Sequence, residues 1–197
     1  SAAPCLADCR ICTEQCPTEA LTRHKKSLSL DMGRCIFCWR CAEACPEKHI
    51  LFTEEHRMAV RNRKELLVSA GEALHHAEPL ENSLRRILGR SLRLRQVSAG
   101  GCNACEADTN VLNTLVFDLG RFGIQFVASP RHADGLLVTG PVSRNMETAL
   151  RKTYEAVPDP KIVIAVGACA ISGGIYADRE ETCSGLADIL PVDLFVP

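Results

Sequence analysis

Two runs of cysteine near the N-terminus constrain this chain more than any other feature of its sequence. They read Cys5-x3-Cys9-x2-Cys12-x3-Cys16 and Cys35-x2-Cys38-x2-Cys41-x3-Cys45, and a proline follows each run. A shift of 29 residues superimposes the last three cysteines and the proline of the first run on those of the second, and only Cys5 misses its counterpart, by one position. The repeated spacing indicates a duplicated unit organised around sulfur ligands.

Gaps of two residues allow three thiolates of one tight loop to bind three irons of a cubane, and the proline then turns the chain away. In two-cluster proteins the remote fourth cysteine completes the other cubane. This rule predicts two [4Fe-4S] ligand sets: Cys5, Cys9, Cys12 and Cys45 for the first cluster, and Cys35, Cys38, Cys41 and Cys16 for the second. The pattern resembles that of bacterial dicluster ferredoxins and covers about a quarter of the chain.

Two other chemistries use clustered cysteines. Zinc ribbons bind each ion with two Cys-x2-Cys pairs, whereas each run here has three closely spaced cysteines and an exchanged fourth. Disulfides cross-link distant loops, whereas these cysteines are grouped in tight runs. Iron-sulfur clusters are therefore favoured over both zinc and disulfides.

The residues between and within the two cysteine runs give two further structural predictions. Residues 20–31 are predicted to form a hairpin, with leucines at the apolar positions and a polar turn at residues 24–26. Phe37 and Trp39 flank the second run and are expected to cover its cluster from water.

Composition and charge exclude several classes of protein. Apolar residues make up 46% of the chain and charged residues 24%, as in soluble globular proteins. There is no uninterrupted apolar stretch of about 18 residues, and cysteines stand where a signal peptide has its apolar region, so we expect no direct membrane span and no secretion. Residues 56–101 are basic, with 9 Lys and Arg against 4 Asp and Glu, but they lack interleaved aromatics. A helix face or a docking surface for an acidic partner is predicted there, and no nucleic acid binding.

Apolar residues recur at helical spacing in the segment before residue 95. We predict that residues 56–95 form a basic helical linker of two helices broken near Pro79, the first carrying Leu66, Leu67, Ala70 and Leu74 and the second Leu80, Leu84, Ile87 and Leu88. His75 and His76 have no matching cysteine or carboxylate cluster nearby and are interpreted as helix-surface residues.

The composition changes from Val97 onward to short apolar runs alternating with helical stretches, which is typical of an α/β layer fold. Uniformly apolar strands are buried on both faces, so a parallel sheet is expected. An α/β domain over residues 96–197 would then follow a dicluster domain over residues 1–55. The predicted strands are residues 125–128, 135–139, 161–166 and 191–196, and the predicted helices are residues 109–122 and 144–157.

Further cysteines lie where a parallel sheet binds its ligands, in Gly-rich loops at the carboxyl ends of strands. Cys102 and Cys105 follow Gly101, and Cys169 follows Gly167 after the most apolar strand. A buried structural cysteine is the alternative for Cys169 alone. Together the three cysteines predict a third [4Fe-4S] site, to which the glycine loops give close access.

The second half also resembles a known family. The segments that carry the resemblance are Ser91–Arg95, Gly101–Glu106, Ser129–Asp134, Thr139–Val142 and Val166–Cys169. They make residues 91–197 similar to the small subunit of group 4 membrane-bound NiFe hydrogenases, such as formate hydrogenlyase, and to the related B subunit of respiratory complex I. The resemblance implies a flavodoxin-like fold holding one [4Fe-4S] cluster beside a catalytic large subunit. The complex I type uses adjacent cysteines where Cys102 and Cys105 are separated, so the hydrogenase type is favoured.

The resemblance leaves the fourth ligand of the third site open. Family members carry it in a Gly-Cys-Pro-Pro motif after a strand like residues 191–197, and this sequence stops immediately before that motif. We therefore expect a truncated ending. The fourth ligand is either Cys183 or a residue beyond Pro197.

The resemblance implies a cytoplasmic electron-transfer subunit that makes no bonds to substrate and reaches the inner face of the cell membrane through partner subunits. Electrons would pass along the clusters to or from the NiFe site of a partner large subunit, since no further Cys-x2-Cys pair is present to bind nickel. Glu106 either carries protons at the subunit interface or is a carboxylate stabilised by a helix dipole. The alternatives are a complex I-like B subunit that passes electrons to quinone and a redox sensor or structural module without turnover.

Overall fold

Two sheets of different kind divide the chain into an N-terminal and a C-terminal lobe. The computed structural model describes residues 9–24, 27–72, 74, 77, 89 and 91–197. The N-terminal sheet has three antiparallel strands, and the C-terminal sheet has five parallel ones. The elements of the N-terminal lobe are, in order, α1 (Ile11–Glu14), β1 (Leu21–His24), β2 (Ser27–Asp31), α2 (Arg40–Glu43) and β3 (Leu67–Ser69).

The duplication of the sequence is repeated in the backbone. Helices α1 and α2 are each four residues long and begin at residues 11 and 40, which are 29 positions apart. Beyond each helix, Glu19 and Lys48 adopt left-handed φ angles of 52° and 50°. Their amides donate to the carbonyls of Cys16 and Cys45 at 3.3 and 3.1 Å. The ends of the two cysteine runs therefore fold as copies of one loop.

The predicted hairpin is confirmed. Strands β1 and β2 pair in antiparallel register from Leu21 opposite Leu30 to His24 opposite Ser27. The opposite pairing of Leu21 and Leu30 places two of the predicted apolar positions side by side.

The first helix predicted in the linker is wrong. Arg63–Leu66 form a 3-10 helix, and β3 then pairs with β2. A capping box between Asn62 and Glu65 starts the short helix, and the fully buried Leu66 ends it. Burial of Leu66 and strand pairing override the helical periodicity. The second predicted helix and the pair His75 and His76 lie outside the described residues.

The C-terminal sheet confirms the flavodoxin-like prediction. Its strand order is β5-β4-β6-β7-β8 with every neighbouring pair parallel, which is 2-1-3-4-5 in chain order. All five residues of β6 are buried, as expected in a sheet covered on both faces. Strand β4 was not among the predicted strands, because Arg93, Arg95 and Gln96 interrupt its apolar residues. The strands are β4 (Leu92–Ser98), β5 (Ile124–Phe126), β6 (Gly135–Thr139), β7 (Ile162–Val166) and β8 (Leu194–Val196).

Three helices accompany this sheet: α3 (Ala104–Val111), α4 (Arg144–Ala156) and α5 (Ala168–Ser172). The prediction for α4 is confirmed, but the helix predicted over residues 109–122 is wrong, because α3 starts earlier and ends at Val111. The Thr114 hydroxyl donates to the Val111 carbonyl at 2.7 Å, and Asp118 has a left-handed φ of 46°. Such side-chain bonds to a nearby carbonyl compete with helix continuation. Within the described ranges, no helix is both long and apolar enough to cross a bilayer.

The two lobes contact each other through the segment that connects them. Val60 forms an antiparallel bridge with Phe195 of β8, with N···O distances of 3.0 and 2.8 Å. Leu66 belongs to the same apolar cluster as Leu136 of β6, and its carbonyl accepts from the Met32 amide at 2.8 Å. The N-terminal sheet is thus joined to the C-terminal core.

Replacing Leu136 tests this core. Leu136 is completely buried, so Leu136→Ala should lower the free energy of unfolding by about 2–5 kcal/mol through lost burial and a residual cavity. Leu115→Ala is the matched control, since that side chain is 100% exposed and its loss should change stability by no more than about 0.5 kcal/mol. Denaturant unfolding of the isolated chain measures both values, and equal midpoints for the two variants would contradict the placement of β6.

Candidate metal centres

A cavity of about 510 Å³ lies within the N-terminal lobe, and four cysteines line it. They are Cys16, Cys35, Cys38 and Cys41, which are the four ligands predicted for the second cluster. The remainder of its wall is largely apolar. One cysteine of the first run therefore joins three of the second around a single space, as the exchange of the fourth ligand requires.

The pKa values of these thiols reflect their crowding. Burial raises the pKa of Cys35 above its ordinary value of 9.0, and the neighbouring Cys16, Cys41 and Cys38 raise it further. Burial also raises the pKa of Cys41, and Cys16 and Cys38 add to that effect. Converging thiolates repel one another unless cations lie between them, so binding an iron cluster here would release protons.

Backbone amides point at three of the sulfur atoms. The amide of Ala20 donates to Cys16 Sγ at 3.2 Å, and that of His49 donates to Cys45 Sγ at 3.3 Å. These two bonds are related by the shift of 29 residues. The duplicated spacing in the sequence was therefore a signal from which the paired amide-to-sulfur bonds could have been predicted. A third amide, that of Phe37, donates to Cys35 Sγ at 3.4 Å. Hydrogen bonds to sulfur are one means by which proteins set cluster potential.

Aromatic side chains form part of the cavity wall, as expected for Phe37 and Trp39. The Trp39 ring stacks on Phe52, with ring centroids 4.4 Å apart and an interplanar angle of 11°. Phe37 and Trp39 both have left-handed φ angles, 52° and 66°, which shape the loop between the cysteines of the second run.

The first predicted ligand set is described in part. Cys9, Cys12 and Cys45 lie in the N-terminal lobe, and Cys12 is buried. The Arg23 guanidinium donates to the Cys9 carbonyl, which ties the start of the first run to β1. Cys5 lies outside the described residues, so the convergence of this set stays a prediction.

The third predicted site is assembled from two loops at the carboxyl edge of the C-terminal sheet. Cys102 and Cys105 follow β4, with Cys105 in the first turn of α3, and Cys169 follows β7 in α5. Burial raises the pKa of Cys169, and the neighbouring Cys105 and Cys102 raise it further. Burial likewise raises the pKa of Cys105, and the neighbouring Cys102 raises it further. The structure therefore brings the three predicted ligands together.

Glycines make this convergence sterically feasible. A Cβ on Gly167, whose φ is +85°, would lie 2.5 Å from Cys105 Sγ. A Cβ on Gly101 would lie 3.0 Å from the Cα of Gly140, so Gly101 lets the loops after β4 and β6 pack closely. Gly174 has the same function for Cys169, since a Cβ on Gly174 would lie 2.8 Å from that Sγ.

Glu106 lies next to this site but faces a separate space. It is half-buried and lines a cavity of about 640 Å³ together with Arg95, Gln96 and Ser98. The Gln96 side-chain nitrogen is buried there and has no hydrogen-bond partner among the described residues. Both functions considered for Glu106, proton carriage and a helix-terminal carboxylate, stay predictions.

Cys183 lies in a different environment from the three cysteines. Its amide donates to the Val142 carbonyl at 3.0 Å, and its side chain packs on the main apolar cluster. Burial raises its pKa, and Glu147 is the next largest influence. The end of β8 does lie at the cluster edge, because the Gly167 amide donates to the Val196 carbonyl at 2.8 Å. The identity of the fourth ligand stays a prediction.

Across the described ranges, no group of three or more His, Cys, Asp or Glu side chains is arranged to hold a single metal ion. A cubane distributes its cysteine ligands over four irons and does not need the spacing of a mononuclear site.

Two known families match this chain. The 4Fe-4S dicluster domain matches residues 4–51, and the family of the NADH ubiquinone oxidoreductase 20 kDa subunit matches residues 102–197. These matches confirm the prediction of [4Fe-4S] clusters as cofactors. The identity of each ligand stays a prediction.

Similar proteins come from hydrogenase and respiratory complexes. The probable membrane-bound hydrogenase subunit mbhJ of Pyrococcus furiosus is 45% identical over 114 residues, 58% of this chain and 68% of that protein. Formate hydrogenlyase subunit 7 of Escherichia coli is 43% identical over 118 residues, 60% of this chain and 46% of that protein. The NADH-quinone oxidoreductase B subunit of Geotalea daltonii is 42% identical over 97 residues, 49% of this chain and 56% of that protein. This chain thus spans about half to two thirds of the length of these relatives.

Removing one cysteine of the N-terminal cavity tests its ligand set. Cys41→Ala should lower the iron content by about four atoms per chain, because a cubane that loses a thiolate is destabilised. Ser27→Ala, at an exposed residue of β2 that belongs to no predicted ligand set, is the control and should keep the full content. Iron and sulfide analysis of anaerobically purified protein measures both, and an unchanged content in Cys41→Ala would contradict the assignment.

Proposed function

We propose that this chain, which belongs to the family of the NADH ubiquinone oxidoreductase 20 kDa subunit, relays electrons through three [4Fe-4S] clusters in a membrane-associated hydrogenase complex. The observation that carries the proposal is the pair of cysteine cradles, one in each lobe: the cavity of Cys16, Cys35, Cys38 and Cys41, and the group Cys102, Cys105 and Cys169. The backbone bridge of Val60 to Phe195 joins the segment that connects the two lobes to the C-terminal sheet.

The chain's own residues hold and tune the clusters. When bound, a [4Fe-4S] cluster takes up and gives back single electrons. The cysteines supply thiolate ligands, and the amides of Ala20, Phe37 and His49 stabilise negative charge on sulfur. The apolar walls of the N-terminal cavity exclude water, which lowers the local dielectric and thereby influences the potential. No bond to a substrate is formed or broken in this chain.

The hydrogenase type is favoured over the complex I type by the cysteine pair. Cys102 and Cys105 are separated by two residues, with Asn103 in a left-handed conformation between them. The segments that align with the Pyrococcus and Escherichia subunits are also longer than the segment that aligns with the complex I protein. A complex I-like B subunit that passes electrons to quinone is the second candidate, supported by the match to the 20 kDa subunit family.

An apolar surface supports the docking of a partner protein next to the third site. It follows α3, the helix that carries Cys105, and includes fully exposed Leu115 and 82% exposed Val116. Contiguous exposed apolar surface of this kind marks protein interfaces. We infer that a NiFe large subunit docks here and that the chain reaches the membrane through partner subunits. The members of this apolar face are Val111, Leu112, Leu115, Val116, Phe117 and Phe122.

Hydrogen-dependent dye reduction by the native complex tests the proposed function. A complex that contains this chain should reduce a viologen dye with hydrogen, and this chain should carry about twelve irons if all three sites are filled. A complex that shows quinone-dependent electron transfer but no hydrogen-dependent activity would favour the second candidate, a complex I-like B subunit. Clusters that resist reversible reduction would contradict both and favour a non-turnover role.

The double variant Leu115→Asp and Val116→Asp tests the apolar face. Two carboxylates placed in an apolar interface lose hydration without gaining a partner, so association with the large subunit should weaken by about tenfold or more. Co-purification of the large subunit measures the loss, while the cluster absorbance of the variant stays intact. Leu67→Asp in β3 is the control, because Leu67 is also exposed but lies on the N-terminal lobe. Equal co-purification for both variants would contradict docking at this face.

A further inference from the structure

A tight turn connects β2 to the second cysteine run. The amides of Arg34 and Cys35 donate to the Asp31 carbonyl at 3.1 and 3.2 Å, and the Asp31 carboxylate accepts from the Gly33 amide at 2.9 Å. The same carboxylate pairs with Arg63 at 2.6 Å. Cys35, the ligand at the end of this turn, is therefore held by a fixed network.

The turn meets α5, the helix that carries Cys169. The Ser172 hydroxyl donates to the Gly33 carbonyl at 2.9 Å, although the two residues are 139 positions apart in the sequence. It shares its hydrogen with the Ala168 carbonyl at 3.0 Å, and its oxygen accepts from the Gly174 amide at 3.4 Å. Ser172 and Gly33 are both buried, so water does not replace this contact.

The approach of the turn to α5 is close. A Cβ on Gly33 would lie 2.7 Å from the Ile171 Cγ2 atom and 2.9 Å from the Arg63 Cζ atom. Only glycine allows the Gly33 carbonyl to reach Ser172 without moving these neighbours. The position of α5 relative to the turn is therefore set by direct packing as well as by the hydrogen bond.

The contact joins the chain segments next to two cluster cradles. Gly33 precedes Cys35 by two residues, and Ser172 follows Cys169 by three. We propose that Ser172 is a positioning residue: its hydrogen bond to Gly33 fixes the Cys35 cradle against the Cys169 cradle and makes them direct neighbours in electron transfer. The electron-transfer part rests on the proposed function.

The consequence is an order of transfer within the chain. With clusters bound, one electron would pass in either direction between the site of Cys16, Cys35, Cys38 and Cys41 and the site of Cys102, Cys105 and Cys169, and no proton would need to accompany it. Tunnelling falls steeply with distance, so a contact that fixes the gap fixes the rate.

Ser172→Ala in the native complex tests this inference, with Thr153→Ala as the control. The Thr153 hydroxyl donates to the Ala149 carbonyl of its own helix, so the control removes a helix back-bond like that to Ala168 but, within the described part of the chain, no bond between lobes. In Ser172→Ala, amide hydrogen exchange of Gly33 and Cys35 should accelerate by about five- to thirtyfold. This factor corresponds to the free energy of one lost buried hydrogen bond. Exchange rates equal to those of the wild type would overturn the inference whether or not iron is bound.

Spin resonance of the reduced complex supplies a second measurement that a purely structural role would not alter. The wild type should show magnetic splitting between the second and third clusters, and Ser172→Ala should lose or reduce it while each cluster signal persists. Splitting retained in Ser172→Ala, or absent from a wild type with reducible clusters, would overturn the inference and leave the proposed function standing. Failure of the proposed function is instead shown by absence of hydrogen-dependent and quinone-dependent turnover.

Gly33→Ala is the second variant, in case Ser172→Ala does not accumulate. Its Cβ pushes the turn away from Ile171 from the opposite side, so the same faster exchange at Cys35 and the same loss of splitting are expected. Unchanged exchange and splitting in Gly33→Ala would overturn the inference.

Discussion

Converging thiolates are the constraint on which the rest of this structure depends. Burial and neighbouring thiols raise the pKa of Cys35, so the cradle is unfavourable for free thiolates and suited to a cationic cluster. Among the described residues before Val60, the buried apolar side chains are only those of Cys12, Ala20 and Leu21. Such a small core does not stabilise a lobe of this size, so inorganic clusters must take over that function.

The C-terminal lobe positions its cysteines in a different way. Its parallel sheet is stable on apolar burial, and the cysteines are added in loops at its carboxyl edge, where backbone rather than side chains fills the space. Gly167 and Gly174 leave room for the sulfur atoms of Cys105 and Cys169. A cradle on a rigid sheet edge keeps its geometry independently of the N-terminal lobe, which explains how one chain joins two kinds of iron-sulfur domain.

The electron relay that we propose depends on the boundary between the lobes. The bridge of Val60 to Phe195, the burial of Leu66 and the bond of Ser172 to Gly33 all join the cluster-dependent lobe to the self-sufficient one. The exposed apolar face near Leu115 lies beyond the end of the helix that carries Cys105. In the relay that we propose, the third site exchanges electrons with the N-terminal lobe across α5, and the apolar face beyond α3 is the docking surface for a partner subunit.

The sequence by itself determined the parts that depend on local spacing. Cysteine gaps of two residues predicted the ligand sets, and continuous apolar runs located β6 and β7, because ligand loops and doubly buried strands are local patterns. Only the tertiary structure decided that Leu67 extends a sheet rather than a helix and that Cys183 packs on the main apolar cluster. It alone showed the contact of Ser172 with Gly33. Those outcomes depend on pairing and packing between distant segments, which periodicity within one segment does not encode.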